Sequence, residues 1–258
     1  MEVINGQWFM NGLDRSDPGC VTGSDRLLDV IERVGFLPLF QNEVPGFSVE
    51  SMTDPSCWWC GDPNVDPWEW RVTLTRTGKV AYGKLFGKKA GFVSKKWFPY
   101  LANFRRDGYD FDSLYEDGKA GYKEKLIMDL FWPPEKEIRE IKKSSLRKDV
   151  PNTELFSYEV KDKAGFGKDG EKNFEGTCAR LQMQTYLIAK DFRQRIGKSG
   201  EGYGWSIAVY TLPEYLWGYD HVTSQYGEDP GRSFDRIVDQ IRSHFDSDEK
   251  KIRKVLRK

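Results

Sequence analysis

Judged by residue type and spacing, the capacity for chemistry in this chain concentrates between residues 71 and 106. That stretch holds ten basic residues (Arg71, Arg76, Lys79, Lys84, Lys88, Lys89, Lys95, Lys96, Arg105 and Arg106) and no Asp or Glu. The 258-residue protein balances 40 basic against 40 acidic residues, so outside the stretch the count is 30 against 40 and the positive charge is set apart. Seven aromatics (Tyr82, Phe86, Phe92, Trp97, Phe98, Tyr100 and Phe104) lie among the cations. Ammonium and guanidinium groups grip phosphates and exposed rings stack on bases, so the mixture predicts a polyanionic partner, with nucleic acid first. The alternative is a hairpin and a helix whose rings form core while the lysines sit in water. Directly afterwards, residues 107–118 reverse the sign with five acids and no base. That run suits a solvated loop that neutralises part of the patch, since a metal site would need its acids to converge.

Other motifs carry less. Cys57-Trp58-Trp59-Cys60 is half of a zinc site or a redox pair, but His221, His244, Cys20 and Cys178 stand far from it in the chain. A buried structural role is favoured, and neither a metal nor a cofactor is expected. Gly165-Phe166-Gly167-Lys168-Asp169-Gly170 matches a dinucleotide fingerprint, yet a lysine-rich helix precedes it where a strand is required, so it reads as a turn between helices. Gly197-Lys198-Ser199 is similar to a phosphate loop, with Phe192 where the first glycine should stand. Only two histidines are present, both late in the chain, which argues against histidine-based nucleophilic catalysis.

The elements that must position these residues follow from pattern and punctuation. A helix starts at Ser24 as cap, carries the stripe Leu27, Leu28, Ile31 and Val34, and ends at Gly35. Pro38 and Pro45 make the following segment extended and partly buried. Asp66-Pro67-Trp68-Glu69 combines three start signals for a short helix over about residues 67–77, although the β-branched Val72, Thr73 and Thr75 leave a strand open. Residues 79–94 read as a hairpin turning near Gly87 and Lys88, and Ser94 caps a helix that runs to Arg106. A helix with Leu126, Ile127, Leu130 and Phe131 stops at Pro133-Pro134, the best internal boundary, and residues 135–148 form a charged connector helix. From 152 onward a short helix (157–164), a glycine turn, a long helix (173–193) and two strand-like runs describe a helix-turn-helix with a β-ribbon wing. On the long helix Phe174, Cys178, Leu181, Thr185, Ile188 and Phe192 would share the core face. Asp229-Pro230 opens a final helix striped by Phe234, Ile237, Val238, Ile241 and Phe245, followed by a basic tail. The fold class expected is therefore α+β of winged-helix type in two units, residues 1–132 and 133–258. No apolar run is long enough to span a bilayer and the first residues lack signal-peptide features, so a soluble cytoplasmic protein without membrane partners is expected.

Three stretches carry a resemblance to a known family. Gly35-Phe36-Leu37-Pro38-Leu39-Phe40, Phe86-Gly87-Lys88-Lys89-Ala90-Gly91-Phe92-Val93-Ser94 and Val209-Tyr210-Thr211-Leu212-Pro213-Glu214 occur in the order found in the AlkZ and YcaQ type of winged-helix DNA glycosylase. The chain resembles those enzymes, which remove alkylated and crosslinked bases, over about residues 24–216, and more closely a group of smaller AlkZ-related proteins. The resemblance implies a duplex-binding winged-helix scaffold related to DNA repair. It also implies where activity would reside, and there the chain departs: the Gln and Asp or Gln of the first motif are replaced by Pro38 and Phe40, and the His-Glu of the second by Lys88-Lys89. A monofunctional glycosylase needs a polar side chain to position water and stabilise the cationic sugar.

The leading expectation is a DNA-binding protein without that chemistry. Lys84, Lys88, Lys89, Lys95, Lys96, Arg105 and Arg106 would hold phosphates, with Arg180 and Lys198 contributing from the second unit. One alternative is an active base-excision enzyme using a relocated carboxylate, Glu43, Asp66 or Glu69. Another is a module whose basic face meets an acidic protein or RNA.

Overall fold

The computed structural model describes all residues except 1, 5, 6, 132–153, 198, 199 and 258. Glu2–Ile4 (β1) and Gln7–Phe9 (β2) form a two-stranded ribbon. α1 (Ser24–Val34) buries the expected stripe and ends at Gly35, whose φ of 92° only glycine adopts readily. Its N-cap is Gly23, one residue before the serine expected there, and no side chain caps it. β3 (Phe36–Pro38) follows at once and is wholly buried. α2 (Pro67–Arg76) starts where its three signals place it, with the Asp66 carboxylate accepting from the Trp68 N–H.

β4 (Val80–Phe86) and β5 (Lys89–Ser94) close through Gly87 and Lys88, both at positive φ (54° and 66°). Two such residues match the twist of the flanking strands. Gly91 has to be glycine, since a Cβ there would lie 2.5 Å from the Phe86 ring and 2.7 Å from the Leu37 carbonyl. Ser94 does not cap the next helix: it is the last residue of β5, its N–H donating to the Gly35 carbonyl. α3 (Phe98–Arg106) begins four residues later, after Trp97. The acidic stretch expected as a loop contains a helix, α4 (Phe111–Glu116), because Phe111 and Leu114 pull one face into a core. α5 (Tyr122–Met128) buries Ile127 and Met128. The Pro133-Pro134 stop, the connector helix and the boundary at 132/133 fall on or beside residues outside the description.

After β6 (Leu155–Phe156) and α6 (Ser157–Lys163), α7 (Phe174–Met183) is half as long as the periodicity suggests. Thr185 turns to φ 66°, and the chain re-emerges as strand β7 (Ile188–Ile196), which pairs with β8 (Gly202–Thr211). Ile188 and Phe192 fit helical spacing by count, but the ladder that β7 makes to both neighbours outweighs that weak local preference. α8 (Pro213–Trp217), α9 (Tyr219–Val222), α10 (Pro230–Arg242) and α11 (Glu249–Val255) complete the chain. The expected basic tail is thus a helix that buries Ile252 and Val255.

The main sheet has six antiparallel strands in the order β3-β5-β4-β7-β8-β6. The order mirrors itself about the β4–β7 seam, where Tyr82 faces Ala189. On one side, α1–β3–α2–β4–β5 places β3 on β5; on the other, α5–β6–α6–α7–β7–β8 places β6 on β8. Each inner hairpin also meets the opposite side's helix: the Gln182 side chain of α7 accepts from the Lys84 N–H at 2.8 Å, and Arg76 of α2 reaches Asp191 at 2.8 Å. One core gathers Phe36, Phe47, Trp70, Phe92 and Phe98 with Ile237 and Ile252 from the terminal helices. A second gathers Phe111, Ile127, Val160, Phe174, Leu181 and Tyr186. Among the described residues no helix is long and apolar enough to cross a membrane.

Candidate nucleic-acid interface

The basic stretch does not form one patch. Its hairpin lies at the centre of the sheet with nearly every strand residue buried, so the eight cations from Lys79 to Arg106 separate into three sets. Lys84, Lys88 and Lys89 are exposed at the turn end. Lys79, Lys95 and Lys96 are exposed at the other end, where the Lys95 N–H donates to the Lys79 carbonyl at 2.9 Å. Six residue steps along the strand, roughly 20 Å, separate Lys89 from Lys95. The third set is interior and corrects the assignment of Arg105 and Arg106 to phosphates, because both are buried. Arg106 pairs with Glu214, donates to the Thr185 carbonyl at 2.6 Å and lies over the Tyr186 ring at 4.3 Å. Burial alone would lower its pKa, but the Glu214 carboxylate outweighs it and the guanidinium is held above its usual value. Arg105 donates to the carbonyls of Leu85 and Leu256, and its Nε and second Nη find no partner among the described residues. Burial pushes its pKa down. Of the two cations assigned from the second unit, Arg180 is tied to Glu124 of α5 and Lys198 lies outside the described residues.

At the turn end β3 runs out beside the hairpin: the Leu39 N–H donates to the Ala90 carbonyl at 2.8 Å. Pro38 and Phe40 therefore end next to Lys88 and Lys89, which brings together the first two resemblance motifs. Beyond Phe40 the chain walls a cleft of about 400 Å³ with Asn11, Gln41, Asn42 and Ser51 on its sides. The Glu50 carboxylate next to it, fully buried, accepts from the Gln41 N–H at 2.9 Å and the Asn11 N–H at 3.3 Å. The Gln41 amide donates to the Asn11 carbonyl at 3.0 Å. Glu43, in the same loop as Gln41 and Asn42, pairs with Lys254 of α11 at 2.7 Å. That bond, then its own backbone N–H, holds the Glu43 carboxyl below the usual carboxylate range.

The other two catalytic candidates lie elsewhere. Asp66 is buried and accepts from the N–H groups of Trp59, Gly61 and Trp68, so its oxygens are committed to the start of α2. Glu69 stands in the first turn of α2, outside the lining of the cleft. A cleft of this size, edged by amide and hydroxyl groups, can take a base or nucleoside and hydrogen-bond its edge.

At the opposite end, β7 and β8 continue past the seam as a ribbon. Its exposed residues include Ile196 (68%), Tyr203 (54%) and Trp205 (91%). The ribbon is braced at its root: Asp191 binds Arg76 and Arg193, and Glu154 binds Arg193 and Lys190. For both carboxyls burial acts upward, but these arginine and lysine bonds prevail and keep them below the usual range.

Residues 21–257 match the family described as AlkZ related. The chain belongs to the AlkZ-related family. Membership relates this AlkZ-related protein to the DNA-repair glycosylases. No curated protein and no solved structure matches it. The two parts of its surface that sequence reasoning overlooked are Trp205 and the walls of the cleft. Trp205 was visible in principle as a large ring between Gly204 and Ser206, outside any apolar stripe; the cleft was not, since Asn11 and Ser51 come to Gln41 from separate segments. Cys57 is half-buried, with Arg15 donating toward its sulfur, and Cys60 is exposed. No group of metal-binding side chains occurs among the described residues.

Proposed function

We propose that this AlkZ-related protein is a DNA-binding protein that grips duplex phosphates with Lys84, Lys88 and Lys89, and that it does so without glycosylase chemistry. The observation that carries the reading is the convergence at the turn end of the sheet. There the two stretches that resemble glycosylase motifs meet, three exposed lysines stand together, and the polar cleft opens beside them. The scaffold is read as two winged-helix-like units, divided at 132/133, with the terminal helices folding back onto the first. Support comes from the mirrored strand order, in which each side has a helix, a first strand, one further helix on the first side and two on the second, and a hairpin whose later strand receives the first.

Duplex binding measured against salt tests this. Affinity should fall steeply with added salt, and reversing the charges of Lys84, Lys88 and Lys89 should flatten the dependence. No affinity for duplex at low salt would overturn the proposal in favour of an acidic protein or RNA as partner. The second reading, an active glycosylase, is favoured by one feature: Glu43, whose carboxyl Lys254 holds below the usual carboxylate range, stands in the loop that walls the cleft. Incubation with alkylated or crosslinked duplex, followed by cleavage at abasic sites, decides it. Base release that is lost in Glu43→Gln or Glu69→Gln would replace the first reading with the second.

A further inference from the structure

Lys79, Lys95 and Lys96 have no part in the turn-end site, and they are not dispersed. They surround a second cleft, of about 390 Å³, with Ser94 in its wall, His221 of α9 across from them and Glu32 of α1 at its edge. Four separate elements build it, and its backbone is pinned. The Lys95 N–H donates to the Lys79 carbonyl, the His221 Nε2–H donates to the Lys95 carbonyl at 3.0 Å, and the Trp217 indole N–H donates to the Gly78 carbonyl at 2.6 Å. Because a carbonyl can only accept, the bond to Lys95 fixes the proton on Nε2 of His221. Ser94 is buried in the wall, and its hydroxyl has no hydrogen-bond partner among the described residues. A buried donor without an acceptor costs stability unless something supplies one.

Three lysines and one carboxylate line the cleft, and that carboxylate is only loosely held: Lys79 stands 3.9 Å from Glu32, both side chains being about half exposed. A pair of that kind contributes little, so little is lost when Lys79 turns to another anion. The cleft carries a surplus of two positive charges, which matches a dianion better than the single charge of a phosphodiester. We propose that this cleft binds a phosphomonoester, the terminal phosphate of a nucleic-acid strand or of a mononucleotide. The site is independent of the duplex grip at the turn end, so either can fail without the other.

The full chain is titrated with inorganic phosphate and with dAMP, following the amide signals of residues 94–96 and the thermal midpoint, and then with 5′-phosphorylated and 5′-hydroxyl oligonucleotides. Phosphate and dAMP should perturb those amides and raise the midpoint. Lys95→Gln combined with Lys96→Gln should weaken both effects about tenfold through the loss of two charge-assisted contacts, whereas Lys88→Gln combined with Lys89→Gln should leave them unchanged. A preference for the 5′-phosphorylated strand that disappears in the first double variant assigns the site to strand ends; phosphate and dAMP binding without that preference assigns it to free nucleotides. No response to phosphate, or an undiminished response in the first double variant, overturns the proposal. All four lysines are exposed, so both double variants keep the fold.

Discussion

The two inner hairpins of the sheet share a plan and differ in what they expose. β4–β5 lies between β3 and β7, and its strands are buried almost throughout, leaving lysines at the turn as its contact with water. β7–β8 pairs with β4 near Tyr82 and Ala189 and then runs beyond its neighbour, so Ile196, Tyr203 and Trp205 stand in solvent. The hairpin that carries cations and no acid is therefore core, and the hairpin that is free to touch a large partner presents rings. Position within the sheet, more than local composition, decides which residues meet a ligand.

The contrast can be broken most directly by stability. Phe92→Ala, in the central hairpin, should cost about 3–5 kcal/mol, and Trp205→Ala less than ~0.5 kcal/mol, in chemical denaturation. Comparable losses would show that the ribbon is as integral as the centre. Adjacent arginines separate charge that is paired from charge that is merely buried: Arg106→Leu strands Glu214 and should cost about 3–5 kcal/mol, whereas Arg105→Leu should be close to neutral or stabilising. Reversing the charges of Lys84, Lys88 and Lys89 should weaken duplex binding about 100-fold at low salt with an unchanged melting temperature. An unchanged affinity would move the grip away from the turn. Trp205→Ala should leave duplex affinity nearly intact and lower affinity for gapped or single-stranded DNA by about 1–3 kcal/mol, independently of salt, as loss of a stacking ring does.

The smallest effect concerns the root of the ribbon. Asp191 has its folded pKa held down by Arg193 and Arg76 against the upward push of burial. An acid of this kind stabilises the fold above its unfolded pKa, about 3.9, and the contribution is lost as pH falls through the lower folded value. Asp191→Asn should therefore give a shallower decline of stability below about pH 4, read from urea midpoints across the acid range.

Local chemistry was legible wherever neighbouring residues settle it. Asp66-Pro67 starts α2, Gly87-Lys88 turns the hairpin, Asp229-Pro230 starts α10, and the stripe of α1 is buried as its spacing requires. Failures occurred where a distant partner decided. Residues 184–193 have helical spacing, yet Thr185 turns and the next residues pair with Tyr82 and Thr211. In the candidate site, Lys84, Lys88 and Lys89 are exposed, while Arg105 and Arg106, indistinguishable from them by composition, are interior.

By itself, the amino-acid sequence determined the Asp66 and Asp229 caps, the Gly87-Lys88 turn and the apolar stripes of α1 and α10, because those interactions act within a few residues. Tertiary structure alone decided which cations meet water, which carboxylates are committed and which ends of the sheet open into clefts. The physical reason is that burying a charge depends on the group brought to it. For Arg106 that group is Glu214, 108 residues away along the chain, and no local spacing encodes the meeting.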